Sequence, residues 1–367
     1  MIEIDGSYGE GGGQVLRTAL TLSALTGQST RIRNIRAGRR NPGLAPQHLT
    51  GVLAVARLTG AKLRGAEIGS TEILFEAGPP RSPDHRYEFD VRDVARGGSA
   101  GSVTLLFQTL LLPLAFSGRD VEVVLKGGTH VAWSPPFDYI ARVYLPVLSR
   151  MGLQTDCHLD AWGFYPVGGG QVSARIGGLG GPESKVLGPL TLTDRGGLEK
   201  ISGRAVVSNL PERIADRMSA RANDVLQKLG VEIEISTHRV SGAGPGAGIF
   251  LIAEYENTTA GFSGLGRKGL PAEEVADDAC RDLNAFHESG SPIDMHLADQ
   301  LVLPMALASG RSEMAVCRIT QHLLTNVHII RQFVPAKIDI EGGESEPGVI
   351  VVEGSGKHID HLSVGDS

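Results

Sequence analysis

Apolar runs of membrane-spanning length are missing from this chain: no stretch of about 18 consecutive apolar residues occurs. The opening MIEIDGSYGEGG carries carboxylates and glycines where a leader would place a basic and then an apolar stretch. A soluble, cytoplasmic protein is the expectation. Cysteine is scarce, and Cys157, Cys280 and Cys317 lie far apart without CxxC spacing, which argues against both a zinc site and a disulfide framework. Positive charge is not in excess either, with 35 Lys and Arg against 41 Asp and Glu and a net charge of −6. Proteins that coat long nucleic acids gain affinity by neutralising many phosphates, so this balance argues against that class. No GxxxxGK[ST] loop is present to cradle phosphates and no HExxH to hold zinc, which removes Walker-type ATPases and zincins. The run GAGPGAG at 242–248 imitates a dinucleotide fingerprint, but it leads into the strand-like IFLIAEYE, so no helix N-terminus follows it to receive a pyrophosphate. A hairpin or mobile loop is expected there.

Glycine is plentiful, 49 of 367 residues, and sits at junctions between periodic segments, as short sharp turns require. With 41% hydrophobic and 21% charged residues the chain has ordinary globular composition, and at roughly 150 residues per domain its length predicts two to three domains. One plan recurs along it. GGGQVLRTALTLSALTGQSTRIRNIRAG reads as a helix rich in Leu and Ala, a glycine C-cap near Gly27 and a strand. SAGSVTLLFQTLLLPLAFSGRDVEVVLKGGT and ADQLVLPMALASGRSEMAVCRIT repeat it. Each copy is followed by a second helix and a pair of strands, such as FDYIARVYLPVLSRMG with QTDCHL and GQVSARI. The pattern predicts an α/β (α+β) fold of three βαβαββ units. Residues 1–193 and 292–354 would form this large domain, 194–291 a smaller α/β domain inserted before the third unit, and 355–367 a polar flexible tail. Within the insertion ISGRAVVSNL, VEIEIS and IFLIAEYE read as strands. PERIADRMSARANDVLQKLG reads as an amphipathic helix with Ile214, Met218, Val225 and Leu229 near helical spacing, and a last helix is expected near AEEVADDACRDLNAF.

Three segments carry residues suited to chemistry. In GSYGEGGGQVLR, consecutive glycines open a helix with Glu10 just ahead, an arrangement that suits a phosphate or a metal ion but that also describes a plain glycine-rich turn. Arg17 lies one turn further in, on a face of Leu and Ala where a guanidinium is usually paired or engaged with a ligand. The second segment gathers Arg31, Arg33, Arg36, Arg39 and Arg40 within ten residues, ahead of a Pro-Gly turn after which Gln47 and His48 open a helix. Arginine forks and a helix N-terminus suit one compact anion such as a terminal phosphate; a solvated basic loop is the bland alternative. The third pairs HLADQLVLPMAL with QHLLTN, placing Asp299 and Gln300 at one helix start and His322, Thr325 and Asn326 at another, with His328 a turn further on. A lone histidine is more often structural than catalytic.

Taken together, EGGGQVLR, IRAGRRNPG, QHL, SAGS, LLFQT, GGT, GFYPVGGG, LADQLVLPMAL and HLLTN follow the order and surroundings of the RNA 3'-terminal phosphate cyclases, and the chain resembles that family over nearly its whole length. The resemblance implies three βαβαββ repeats with an inserted domain. It implies ligase-type nucleotidyl transfer, in which ATP adenylylates a histidine, here His322, and AMP passes to an RNA 3'-phosphate to give RNA-(3')pp(5')A and then a 2',3'-cyclic phosphodiester. Glu10 matches the family's carboxylate for Mg2+ or Mn2+. Gln108, Asp299 and Gln300 match the ATP pocket, with Pro135 expected against one face of adenine. Arg17, Arg36, Arg39 and Gln47 match the set around the RNA 3'-phosphate. Two positions depart from the family pattern: Trp162 stands where a basic residue usually precedes GFYP, and His296 where an aromatic stacks on adenine, a weaker platform. RNA 3'-phosphate ends are the expected partners, with no membrane, and a homodimer is left open. The rival readings are the family's non-catalytic, ribosome-assembly relatives, which lack the histidine, and an enolpyruvyl transferase, whose domains resemble the same unit.

Overall fold

A computed structural model of the chain describes residues 1–79, 84–94, 100–179 and 186–356. Ser99 of the SAGS block and the expected tail beyond Gly356 lie outside the described residues. The first unit runs β1 (Ile2–Asp5), α1 (Gly13–Thr26), β2 (Thr30–Arg33), α2 (Pro46–Thr59), β3 (Lys62–Arg64) and β4 (Ile73–Glu76). Its helices stop where glycine takes over in the left-handed region, Gly27 at φ 66° and Gly60 at φ 70°, each donating its N–H back into the last turn. The second unit has β5 (Arg86–Asp90), α3 (Val103–Ala115), β6 (Val121–Gly127), a second helical stretch, β7 (Thr155–Ala161) and β8 (Gly170–Ile176). That stretch passes from α4 (Phe137–Tyr139) through a π turn (Ile140–Tyr144) to α5 (Leu145–Arg150). The third unit is β9 (Thr191–Leu192), α8 (Met295–Leu307), β14 (Ser309–Val316), α9 (Gln321–Phe333), β15 (Lys337–Glu341) and β16 (Gly348–Ser355).

The sheets of these units share one topology. Strand order is first, second, fourth, third: β1-β2-β4-β3, β5-β6-β8-β7 and β9-β14-β16-β15. In each, the first two strands are parallel and the remaining pairings antiparallel. The helices of all three units bury their Leu, Val and Ala faces in a common core that includes Leu16, Leu20, Leu110, Leu114, Leu301, Met305, Ile330 and the strand residues Ile32, Val123 and Ile350. A fully buried Leu contributes about 1.5–3 kcal/mol, so this shared interior holds the units together.

The insertion comprises β10 (Leu198–Ser208), α6 (Arg213–Leu226), β11 (Glu232–Val240), β12 (Gly246–Tyr255), β13 (Thr259–Leu265) and α7 (Ala272–Ser289). Its sheet, ordered β11-β10-β12-β13, packs one face on α6 and α7 in a second core around Ile201, Leu226, Leu251 and Leu283. The structure refines where the insertion departs. β9 pairs with β14 at Thr191↔Glu313 and Leu192↔Met314, and Ile293 resumes the same parallel line opposite Val316. The insertion therefore departs from within the first strand of the third unit. Of the hairpin or mobile loop expected at GAGPGAG, the hairpin is excluded. β11 and β12 flank β10 on opposite sides, so the connection crosses from one edge of β10 to the other, and Gly246–Gly248 already belong to β12. Its loop packs instead on the second unit, through a Trp162↔Gly242 bridge. Among the described residues no helix is long and apolar enough to cross a membrane.

Candidate active site

Helices α1, α8 and α9 meet where the expected nucleophile stands. Thr320 caps α9 by accepting the Leu323 N–H at 3.1 Å, which sets His322 in the first turn. Asp294 caps α8 in the same way, accepting from the N–H groups of His296 and Leu297, and so sets Asp299 one turn in. The two turns face each other. His322 Nδ1 lies 3.5 Å from Asp299 Oδ2, while Nε2 is 3.0 Å from Glu10 Oε2 at the glycine-rich loop. The Asp299 hydrogen bond, with further help from the Asp299 and Glu10 charges, holds the imidazolium form above the usual histidine pKa despite burial and the Arg17 charge. Asp299 thus faces Nδ1 of a histidine whose side chain is 42% exposed.

A buried amide fixes this geometry. Asn326 Oδ1 accepts from Gln14 Nε2 at 2.9 Å and from Thr18 Oγ1 at 2.7 Å, and Asn326 Nδ2 donates to the Asp299 backbone carbonyl at 2.7 Å. Gln14 in turn accepts from Arg17. Sequence reasoning does not single out Gln14 and Thr18. The signal available is their i, i+4 spacing, with Arg17 between, on a helix otherwise made of Leu and Ala. Tyr8, whose ring stacks on His328 at 3.8 Å, is likewise absent from the residues marked by the sequence.

Beside the histidine lies a strongly positive recess. Arg17 is drawn down to about 10 by burial. His48, at the start of α2, is pushed down to about 3, first by burial and then by the charges of Arg17, Arg36 and Arg39. An imidazole kept neutral by burial and by the guanidiniums around it marks a region of positive potential. Arg39 reaches Glu10 at 3.2 Å, bringing its charge to within one residue of His322. Gln47 lines the recess with Arg17 and His48, its Oε1 accepting from the Ser102 N–H at 3.1 Å. Arg36 behaves differently: its guanidinium donates to the carbonyls of Asn41 at 2.9 Å and Gly43 at 2.8 Å, bracing its own loop, and its charge reaches the recess from there. Arg31 and Arg33 stand apart from the anion site, in ion pairs with Glu3 and Glu72 across β1, β2 and the start of β4.

The residues expected around ATP also converge. Thr104 Oγ1 donates to the Pro135 carbonyl at 2.7 Å, and one turn along α3 Gln108 donates to Gln300 Oε1 at 2.6 Å. Gln300 donates to the His296 carbonyl at 2.9 Å, and His296 is exposed at the start of α8. Pro135, Gln108, Gln300 and His296 therefore form one connected wall, continuous through Asp299 with His322. Trp162 lies further off: its ring stacks on His130 at 4.4 Å and carries the Arg204 guanidinium at 4.6 Å, so an arginine from the insertion supplies positive charge where the family pattern has a basic residue. Among the described residues no group of three or more His, Cys, Asp or Glu could hold a metal ion unaided.

Comparison with known proteins points to one family. The profile of the family described as RNA 3'-terminal phosphate cyclase matches residues 8–340. The chain is 51% identical over 340 residues to the RNA 3'-terminal phosphate cyclase of Gloeothece citriformis, covering 93% of this chain and 95% of that one. It is 48% identical to that of Methylococcus capsulatus over 98% of this chain and 99% of the relative, and 41% identical to that of Pyrococcus furiosus over 96% and 98%. A solved structure of the enolpyruvyl transferase NikO from Streptomyces tendae aligns at a TM-score of 0.39 and 12% identity over 99% of this chain, which spans about half, 51%, of that longer one; at that distance it carries no argument.

Proposed function

This chain belongs to the RNA 3'-terminal phosphate cyclase family, and from that premise we propose that it consumes ATP to close an RNA 3'-phosphate into a 2',3'-cyclic phosphodiester, with His322 as the adenylylated nucleophile. The observation that carries the reading is the His322 imidazole set between Asp299 and Glu10, at the edge of the Arg17–Arg39–His48 recess. Asp299 at Nδ1 stabilises the N–H tautomer there, which leaves the Nε2 lone pair for attack. Nε2 bonds to the α-phosphorus of ATP as the bond to pyrophosphate breaks. An oxygen of the RNA 3'-phosphate, held by Arg17, Arg39 and Gln47, then displaces the imidazole and takes AMP, giving RNA-(3')pp(5')A. The neighbouring 2'-OH attacks the 3'-phosphorus, loses its proton to solvent and expels AMP; vicinal geometry supplies the proximity. In the free protein Glu10 occupies the approach to Nε2, so nucleotide binding must draw the carboxylate away.

Glu10 fits the role of single protein ligand to a divalent ion carried in on the triphosphate, since Mg2+ typically keeps one or two carboxylates and takes its other ligands from phosphates and water. Mg2+ or Mn2+ so placed would neutralise charge on the departing pyrophosphate. The wall of Pro135, Gln108, Gln300 and His296 would receive the adenine. The test is retention of label from ATP labelled at the α-phosphate. Wild type should keep acid-labile label after denaturation and His322→Ala should not, whereas an unlabelled, correctly folded wild type would place this chain with the family's non-catalytic relatives.

A further inference from the structure

The glycine-rich loop ahead of α1 lies lengthwise on α9, and three successive loop residues meet that helix in turn. Tyr8 stacks its ring on His328, with centroids 3.8 Å apart and planes within 10°. Gly9 is pressed onto the neighbouring turn: a Cβ there would run into Thr325 Oγ1 and stand 3.1 Å from the Gln321 side-chain amide. Glu10 Oε2 then reaches His322 Nε2 at 3.0 Å. Residues 322, 325 and 328 succeed one another every third position, the spacing of neighbours on a helix surface. Loop and helix therefore run antiparallel, with the ring stack at one end of the contact and the His322 imidazole at the other.

Backbone geometry ties Tyr8 to Glu10. The Gly11 N–H donates to the Tyr8 carbonyl at 3.3 Å, which makes Tyr8 the first and Glu10 the third residue of one four-residue turn. Gly9 at φ 65° and Gly11 at φ 57° supply the left-handed conformations of this turn but have no side chains with which to hold it. Its grip on α9 thus falls to Tyr8 and Glu10. The Glu10 end has to give way, because its carboxylate covers Nε2. The Tyr8 end has no such demand on it. Nor does the core require the stack: Tyr8 is 39% exposed, His328 is exposed as well, and neither belongs to the shared interior. An offset pair of rings fixes orientation as well as distance, which suits it to hold a neighbouring group in place.

We propose that Tyr8, seated on His328, is a positioning residue for Glu10: the stack pins the turn to α9, so that when nucleotide enters, Glu10 leaves Nε2 by swinging its side chain alone and stays beside the reacting phosphates. The role given to Glu10 rests on the cyclase reading; the seating of the loop does not.

Single-turnover self-adenylylation with α-labelled ATP tests this in wild type, Tyr8→Ala, His328→Ala, Glu10→Gln and the double variant Tyr8→Ala/Glu10→Gln, each shown by thermal melting to be folded at the assay temperature. Tyr8→Ala and His328→Ala should each lower the maximal rate about tenfold, part of the hundredfold that a displacement of about 1 Å can cost, and leave the half-saturating ATP concentration within about twofold. Adding Tyr8→Ala to Glu10→Gln should change the rate by less than about twofold, since both act through one carboxylate. Tyr8→Phe and His328→Phe, which keep a ring at each place, should restore the rate. A wild-type rate in Tyr8→Ala, an undiminished loss on top of Glu10→Gln, a higher ATP requirement at an intact rate, or a Tyr8→Phe as slow as Tyr8→Ala each overturns the proposal. A folded wild type that takes no label sinks the cyclase reading instead. Hydrogen exchange at the Gly11 amide then decides the seating alone: it should quicken in Tyr8→Ala, and an unchanged rate refutes it.

Discussion

Replacing Asn326 by alanine tests the account of how the site is held. The amide makes three hydrogen bonds within the protein, to Gln14, Thr18 and the Asp299 carbonyl, and is itself 2% exposed. Truncation leaves the Thr18 hydroxyl and the Asp299 carbonyl without this partner in a place water reaches poorly. With three lost bonds at about 1 kcal/mol each and 1–3 kcal/mol for a stranded buried group, the cost is about 4–6 kcal/mol. The melting temperature should fall by roughly 8–12 °C, using the response of large domains, about 2 °C per kcal/mol. Activity should fall further than stability explains. The bond to the Asp299 carbonyl fixes the turn that points its carboxylate at His322, and a shift of about 1 Å can cost a hundredfold in rate. Urea unfolding gives the first quantity, and single-turnover labelling with α-labelled ATP, at a temperature where the variant is fully folded, gives the second. Loss of under 1 kcal/mol together with wild-type labelling would refute the idea that this amide is the fastening of the site.

Other expectations follow from the same geometry. Asp299→Asn removes the largest influence holding the His322 pKa up, so the acid limb of adenylylation should move to lower pH even as the maximal rate falls; a limb that stays in place would contradict the orienting role. The sign for stability runs the same way: a raised histidine pKa stabilises the wild type below the unfolded value near 6.5, and that contribution is lost as pH rises through the folded value, so the wild-type advantage over His322→Ala should shrink between pH 6 and pH 8. Gly13→Ala would drive a Cβ into His48 Nε2 and to 3.1 Å from Arg17 Nη1, costing about 1–3 kcal/mol and disturbing the anion recess; transfer of AMP to RNA should suffer more than self-labelling, measured on the two steps separately. Arg31→Ala and Arg33→Ala, which break ion pairs that are at least partly exposed, should each cost about 1 kcal/mol or less and leave cyclisation within twofold. Arg39→Ala should raise the KM for the RNA end at least tenfold, and equal behaviour of the three arginines would show that the basic segment acts as an undifferentiated cloud.

The repeated units are readable because each helix pairs an apolar stripe with a glycine that can turn left-handed, as at Gly27, and because strands follow at fixed intervals. β13 is not readable in this way: Thr259–Leu265 includes Gly261 and Gly264, required because Tyr139 and the Val275 carbonyl press on the sheet there, and glycine erases the alternation that marks a strand. The interruption of β9 is hidden for a different reason, since a pairing completed from both sides of a hundred-residue detour leaves no local trace. In the site, His322, Asp299 and Glu10 are legible only through the order of blocks along the chain; nothing in HLLTN alone says that a carboxylate waits on another helix. The basic cluster is legible as charge but not as a division of labour, because whether Arg31 or Arg39 points at a strand neighbour or at Glu10 depends on pairing decided far away. Arg204 over Trp162 is legible from neither residue.

The interrupted strand has a consequence for how such a chain could have been assembled. Leu192 and Ile293 flank a single position on β14, facing Met314 and Val316 with only Ala315 between. The cut ends are neighbours, so the host sheet closes equally well over a bridging residue or over an entire guest. Loss, gain or exchange of the guest would leave every helix of the candidate site in place. A lineage could therefore alter what the guest contributes without reopening the site its host carries.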